Sequence, residues 1–520
     1  MQLLQNLIGG QWVAGPKTFE TRNPADLREV VATLSGASVE QVAQAAAAAR
    51  AAFPAWSALA VDDRVKRILA AGEAITAAKD ELATLISRDN GKKLPDAQGE
   101  VLGSTFAISY LPKIASGANP YTIHETIDKR RGAWTVVLGE PAGVGALITP
   151  FNFPFWTPIT KVISALAAGC TIVLKPASDA PAATHRLVEL FQKTGLFPAG
   201  VINLVQGDGI GRAFTSPEHV RRWDRISFTG GTETGLSIAG VAAQANVKTA
   251  LELGGLNELV LGPDLAESDA LFPKFITFAF EGMLCNGGQM CTAVSRLVVP
   301  EERYAAVRDA LVAKLKAAKM GPGTKEGVMI TPLTGPARLK EIAGLTAQAI
   351  AGKEGELLCG GKPASVLAGF ERGTAWQLDA DPAQSCFMEP TLFGKVDPRS
   401  KILGQTEIFG PVAHISTYPA ANFERVLEMN ATCPFGLHGG IVTGDGKIAA
   451  RYAAGAKIGT IFVNKLSVFA DPRVPFGGMK LSGNHEKELG SHALRFWQDQ
   501  KSVEFDDATG MFPETRPTAQ

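Results

Sequence analysis

The stretch FEGMLCNGGQMCTAVSRLVVP, residues 280–300, sets Cys285 and Cys291 six positions apart around a pair of glycines. Two thiols so placed could bind a metal, form a disulfide, cycle as a redox pair or pack as small core residues. One of them could also act as a nucleophile. A zinc site wants two close cysteine pairs or adjacent histidines. Here the spacing is C-x5-C, and only His185 and His219 lie between Cys170 and Cys285, so no metal is expected. Cys285 ends the apolar run FAFEGML and reads as buried filler. Cys291 follows NGGQM, a turn whose glycines let backbone approach a ligand and let the Cys291 amide face a developing oxyanion. An inert core thiol is equally compatible with these residues taken alone.

Three further polar residues stand in apolar surroundings. ITPFNFPFW places Asn152 between two phenylalanines, with Pro150 and Pro154 stiffening the loop. An amide so placed needs a hydrogen-bonding task, either in pinning the turn or in holding a substrate. LELGG places Glu252 in an apolar strand, where burial would raise its proton affinity and suit it to general-base work. VLKPAS puts Lys175 near the end of a hydrophobic strand, where open α/β sheets bind cofactors. A Lys or Glu at a strand end is also often merely solvated; the four residues together make the stronger case for chemistry.

These residues need a scaffold, and the chain supplies one. At 520 residues and 46% hydrophobic content, it is long enough for two or three domains and well outside the disordered range. Residues 39–88 carry Ala-rich helical periodicity. After residue 140, β-branched runs alternate with helix-like segments: GVGALIT, CTIVLKP, GVINLVQG and RISFTGG. That alternation predicts a parallel sheet covered on both faces. TALELGGLNELVLGP reads as a hinge into a second α/β series. GAWTVVLGEP (132–141) and WQDQKSVEF (497–505) read as extended segments suited to pairing with another subunit. With 51 basic and 51 acidic residues the net charge is zero, so no nucleic-acid or membrane partner is expected. The start MQLLQNLIGGQWVAG lacks signal-peptide features, VISALAAGCTIVL is too short to span a bilayer, and six scattered cysteines fit a reducing cytoplasm.

The stretches PFNFP, KPAS, FTGGTETG, LELGG, NGGQMC, EIFGPV and PFGGMKLSG occur in an order and spacing that resemble the aldehyde dehydrogenase superfamily along nearly the whole chain. The resemblance implies an α/β fold with a Rossmann-like cofactor domain (1–118 and 142–256), an α/β catalytic domain (257–480), and a small β oligomerisation arm with a tail strand (119–141 and 481–510). It implies that Cys291 attacks an aldehyde, that Asn152 and the Cys291 N–H hold the oxyanion, and that Glu252 activates water. It places Lys175 on the adenosine ribose or its phosphate, and Glu407 and Phe409 on the nicotinamide ribose and ring. Gly230 and Gly231 would admit the pyrophosphate at a helix start, with Thr149, Pro150, Phe151, Ser178 and Leu253 as further cofactor contacts. Phe153, Trp156, Met290, Thr292, Phe469 and Phe476 would border the aldehyde channel, implying a medium-sized apolar or aromatic substrate. Homodimer or homotetramer formation is also implied.

Many NAD-preferring relatives carry Glu where this chain has Ser178. A hydroxyl can donate to a 2′-phosphate that a carboxylate would repel, so NADP is expected to be preferred over NAD. Gly231, where a Ser is common, removes one potential phosphate ligand. Relatives that transfer the acyl group to coenzyme A generally lack a carboxylate at the position of Glu252, so water is the expected acceptor. The alternatives are a coenzyme A-dependent acylating semialdehyde dehydrogenase, a thiol hydrolase using Cys291 with a histidine base, and a non-enzymatic protein on this fold. The motif loops hold no histidine, and no catalytic residue is missing.

Overall fold

The computed structural model describes residues 2–116, 121–124, 134–366 and 380–505. Parts of the expected arm and tail, 119–120, 125–133 and 506–510, lie outside the described residues.

The β-branched runs after residue 140 form a seven-stranded sheet. Its order is Lys248–Glu252, Arg225–Thr229, Val144–Thr149, Thr171–Pro176, Ile202–Leu204, Asn6–Ile8, Gln11–Val13. The first five strands are parallel and the last two run antiparallel. Within the parallel set the chain visits the centre first, moves outward to one side, then returns to the other. The strand order therefore reverses between Val144–Thr149 and Arg225–Thr229. A crevice must open there at the carboxyl ends of the strands, because successive connections leave in opposite directions. Every residue of Val144–Thr149 and Thr171–Pro176 is buried, as expected for strands covered on both faces.

Beyond Gly254 and Gly255 the chain enters a second seven-stranded sheet. Its order is Glu356–Cys359, Thr391–Gly394, Val412–Tyr418, Val294–Pro300, Asn257–Leu261, His438–Val442, Thr460–Val463. The LELGGLNELV segment thus joins two sheets, with Glu252 ending one and Asn257 opening the other.

The two extended segments expected to pair with another subunit pair with each other. Gln498–Phe505 runs antiparallel to Trp134–Pro141 over eight residue pairs, and Tyr121–His124 adds a third strand. Trp497, just before the tail strand, seats its ring against Gly145, where a Cβ would lie 2.5 Å from the indole.

Candidate active site

Asn152, Lys175 and Cys291 line one continuous cleft of about 2120 Å³ at the carboxyl edge of the first sheet. Thr149, Pro150, Phe151, Phe153, Trp156, Ser178, Gly230, Gly231 and Leu253 line the same cleft. So do Met290, Thr292, Glu407, Phe409, Phe469 and Phe476. Glu252 is the exception among the residues singled out from the sequence. It is 3% exposed and sits behind the cleft floor, where its Oε1 would lie 2.5 Å from a Cβ on Gly477.

The loop carrying Asn152 is clamped from behind. The buried Lys92 Nζ donates to the Asn152 carbonyl at 2.8 Å and pairs with Glu100 at 2.6 Å. The other Glu100 oxygen accepts the Phe155 and Trp156 N–H groups, each at 2.9 Å. Asn286 Nδ2 donates to the same Asn152 carbonyl at 3.1 Å, tying this loop to the cysteine loop. The Asn152 side-chain amide is left without a hydrogen bond among the described residues, so it is free for a ligand oxygen.

Cys291 follows a left-handed turn. Gly288 has φ +73°, and a Cβ there would come within 2.1 Å of the Gly410 carbonyl, so only glycine fits. Asn257 Nδ2 holds the Cys291 and Ala293 carbonyls at 2.8 and 2.9 Å. Burial pushes the Cys291 thiol well above its ordinary range, and the Glu407 and Glu252 carboxylates add to this. Cys285 lies in the apolar core and also reaches the cleft, its Sγ 3.9 Å from Asp96 Oδ2. Burial raises its thiol to about 12.

Burial, and then Glu488, raise the Glu252 carboxyl well above its ordinary range, an effect opposed by Lys161 and Lys487. These neighbours were not anticipated. Lys161 donates to Ser227 Oγ at 2.7 Å and pairs with Glu488, while Lys487 donates to the Gly477 and Gly478 carbonyls. No local pattern marks them, because the helix carrying Lys161 and the loop carrying Lys487 and Glu488 are far apart in sequence.

The wall opposite is suited to a dinucleotide. Lys175 is 9% exposed, and among the described residues its amine has only the Pro176 carbonyl at 3.0 Å, an incomplete set for a buried cation. Burial lowers its proton affinity, against the pull of Asp208 and Asp179. Gly231 caps the helix Thr232–Gln244 with no side-chain bond, leaving first-turn N–H groups open to an anion. Glu407 accepts the Gly255 N–H at 2.7 Å, and burial raises its carboxyl to about 7. Phe409 is held at φ +58°, strain of about 1–3 kcal/mol that a functional position tolerates. Its ring meets Phe151 edge-on at 5.9 Å, and the Arg338 guanidinium lies 5.5 and 5.9 Å from the two rings. Arg338 is a cleft residue that no sequence pattern revealed.

Comparison with known proteins shows the family. The aldehyde dehydrogenase family profile matches residues 12–503. The chain belongs to the aldehyde dehydrogenase family. Among its relatives, 2,5-dioxopentanoate dehydrogenase of Saccharolobus solfataricus is 33% identical over 95% of this chain and 98% of that protein. Geranial dehydrogenase of Castellaniella defragrans is 32% identical over 95% and 97%. The crystal structure of betaine aldehyde dehydrogenase from Staphylococcus aureus in complex with NAD+ superposes with a TM-score of 0.87. That structure is 28% identical over 97% of this chain and 94% of the other. The expected fold class and aldehyde-oxidising activity are those of this family. The cleft brings together the Cys291 thiol, the Asn152 amide and the Lys175 amine.

Proposed function

We propose that the protein oxidises an aldehyde to its carboxylic acid with a nicotinamide dinucleotide, through a thiohemiacetal and then a thioester on Cys291. The observation that carries this reading is the shared cleft of Cys291, Asn152 and Lys175. The Cys291 thiolate adds to the carbonyl carbon, forming a C–S bond. The Asn152 amide and the Cys291 N–H stabilise the resulting oxyanion. A nicotinamide dinucleotide held by Lys175, Glu407 and Phe409 would supply the hydride acceptor and a positive ring that favours the thiolate. Collapse of the oxyanion would break the C–H bond, pass its hydride to the nicotinamide and restore C=O as the thioester. Glu252, turning forward past Gly477, takes a proton from water, which adds to the acyl carbon and releases the thiolate.

Lys175 would hold the adenosine ribose and its phosphate, Gly230 and Gly231 the pyrophosphate, and Glu407 and Phe409 the nicotinamide ribose and ring. Ser178 leaves room for a 2′-phosphate and a hydroxyl to bind it, which favours NADP over NAD. The retracted Glu252 also favours a second reading, in which coenzyme A takes the acyl group. The free thiols of all six cysteines support a cytoplasmic setting. Among the described residues no helix is long and apolar enough to cross a membrane. A homodimer or homotetramer is in keeping with the three-stranded arm sheet, whose outer edges offer unpaired backbone.

The test is cofactor reduction, followed at its near-ultraviolet absorbance, with NAD and NADP and with and without coenzyme A. Cys291→Ala abolishes turnover while Cys285→Ala retains most of it. The reverse pattern would remove Cys291 as nucleophile, and a strict need for coenzyme A would establish the acylating reading.

A further inference from the structure

We infer that the wall of the cleft formed by the helix Leu94–Ser116 selects aldehydes carried on an aromatic ring or a branched apolar body. The inference rests on the aldehyde-oxidising reading above and narrows its substrate class. Asp96, Gly99, Gly103 and Phe106 all line the cleft, and their spacing of three, four and three puts them on one helix face. Asp96 marks one end of this face by its contact with Cys285, on the nucleophile loop. Gly103 marks the other, because a Cβ there would lie 3.1 Å from the Trp156 ring. Gly99 sits between these two contacts.

Glycine is a poor helix former, and it needs a reason in a helix interior. At Gly103 the reason is packing, since the indole lies against the bare backbone. At Gly99 there is no such reason. A Cβ would meet nothing within 4 Å, and the backbone is not left-handed. Any ordinary side chain at 99 would stand in the cleft, so glycine here keeps space open for a ligand.

The same cleft carries exposed apolar groups. Phe106, Phe469 and Val474 are 44%, 55% and 46% exposed, and all three line this one cleft. Exposed apolar groups gathered on one concavity mark a binding surface. Of the rim cations, Arg473 grips Asp471 at 2.6–3.1 Å with its guanidinium 5.9 Å from the Phe106 ring, and the exposed Lys465 has its amine 5.8 Å from the centre of the Phe462 ring. Arg473 is thereby committed to Asp471 rather than to a substrate carboxylate. An independent sign of the ligand is the Asn152 amide, 3% exposed and without a hydrogen bond among the described residues. A buried amide in that state awaits an oxygen. The ligand described by this cleft has a carbonyl oxygen at Asn152 and a wide apolar body beside Gly99.

The test compares benzaldehyde, cinnamaldehyde, acetaldehyde and succinic semialdehyde with the full chain and its Gly99→Leu, Gly99→Met and Gly99→Ala variants. The native enzyme should show its highest kcat/KM with the two aryl aldehydes. Gly99→Leu should lower the aryl-to-acetaldehyde ratio of kcat/KM by roughly ten- to hundred-fold, the range set by a filled hydrophobic pocket. Gly99→Met, a good helix former with a flexible chain, should lower the same ratio and serves if the leucine variant does not fold. Gly99→Ala should raise the thermal midpoint, since the helix gains propensity and loses no contact. An unchanged ratio in the folded Leu or Met variant, or a native preference for acetaldehyde or succinic semialdehyde, overturns the inference. Absence of turnover with every aldehyde instead overturns the aldehyde-oxidising reading on which it stands.

Discussion

Asn257 holds the peptide of Cys291: its Nδ2 donates to the Cys291 carbonyl at 2.8 Å while its Oδ1 accepts the His438 N–H at 3.0 Å. The first residue of the second sheet is thereby tied both to the cysteine loop and to a neighbouring strand. Asn257→Ala would strand three buried backbone groups, since the Ala293 carbonyl shares the same amide. Each such group costs about 1–3 kcal/mol. We expect a lower thermal midpoint and slower formation of the acyl enzyme in single-turnover measurements. An unaltered acylation rate would show that the cysteine loop holds its shape without this bond.

Lys92 and Glu100 form an ion pair buried almost completely, with side-chain exposures of 2% and 0%. Removing one partner from such a pair destabilises by roughly 3–5 kcal/mol, because the other charge is left uncompensated. Lys92→Met should therefore lower the thermal midpoint strongly. The double change Lys92→Met with Glu100→Gln should recover part of the loss. Calorimetry on the two variants decides whether the pair is coupled in this way.

At the cofactor wall, Ser178→Glu introduces a carboxylate beside the Lys175 ammonium. It should depress kcat/KM for NADP by about ten-fold or more, since a like charge facing a phosphate costs over 1.4 kcal/mol. NAD should be affected less. Equal losses for both cofactors would place residue 178 away from the 2′ position.

The pH dependence of hydrolysis follows from Glu252. A general base works only when deprotonated, and burial with Glu488 nearby holds this carboxyl well above its ordinary range. Deacylation should thus be slow in acid and go on rising above the pH at which an ordinary carboxylate is fully ionised. Glu252→Gln should abolish that rise while leaving the first turnover of cofactor reduction. Pre-steady-state bursts at several pH values separate the two steps. A burst lost along with turnover would mean that Glu252 acts before the thioester.

Much of the site could be read in the sequence, because its residues sit at strand ends and in glycine loops with strong local signatures. Asn152 and Lys175 follow buried strands, and Cys291 follows a turn that only glycine can make. The alternation after residue 140 likewise announced a parallel sheet. What stayed hidden depends on distant chain segments meeting. Nothing near LELGG says that its carboxylate lies against Gly477, 225 positions later, because sequence neighbours fix a strand's path and not which wall closes over it. Arg338 and the Lys161–Glu488 pair are legible only once helices and loops have packed. The same holds for Gly99, whose meaning is the space it leaves.

The seat of Trp497 against Gly145 has a consequence for biosynthesis. The central strand of the nucleotide sheet acquires its last neighbour only from the far end of the chain, so loop closure over most of the polypeptide precedes completion of the domain. On the ribosome, the amino-terminal half must emerge with that apolar seam uncovered and wait for the rest to be translated. Its exposure to chaperones, and to aggregation, is then set by elongation time.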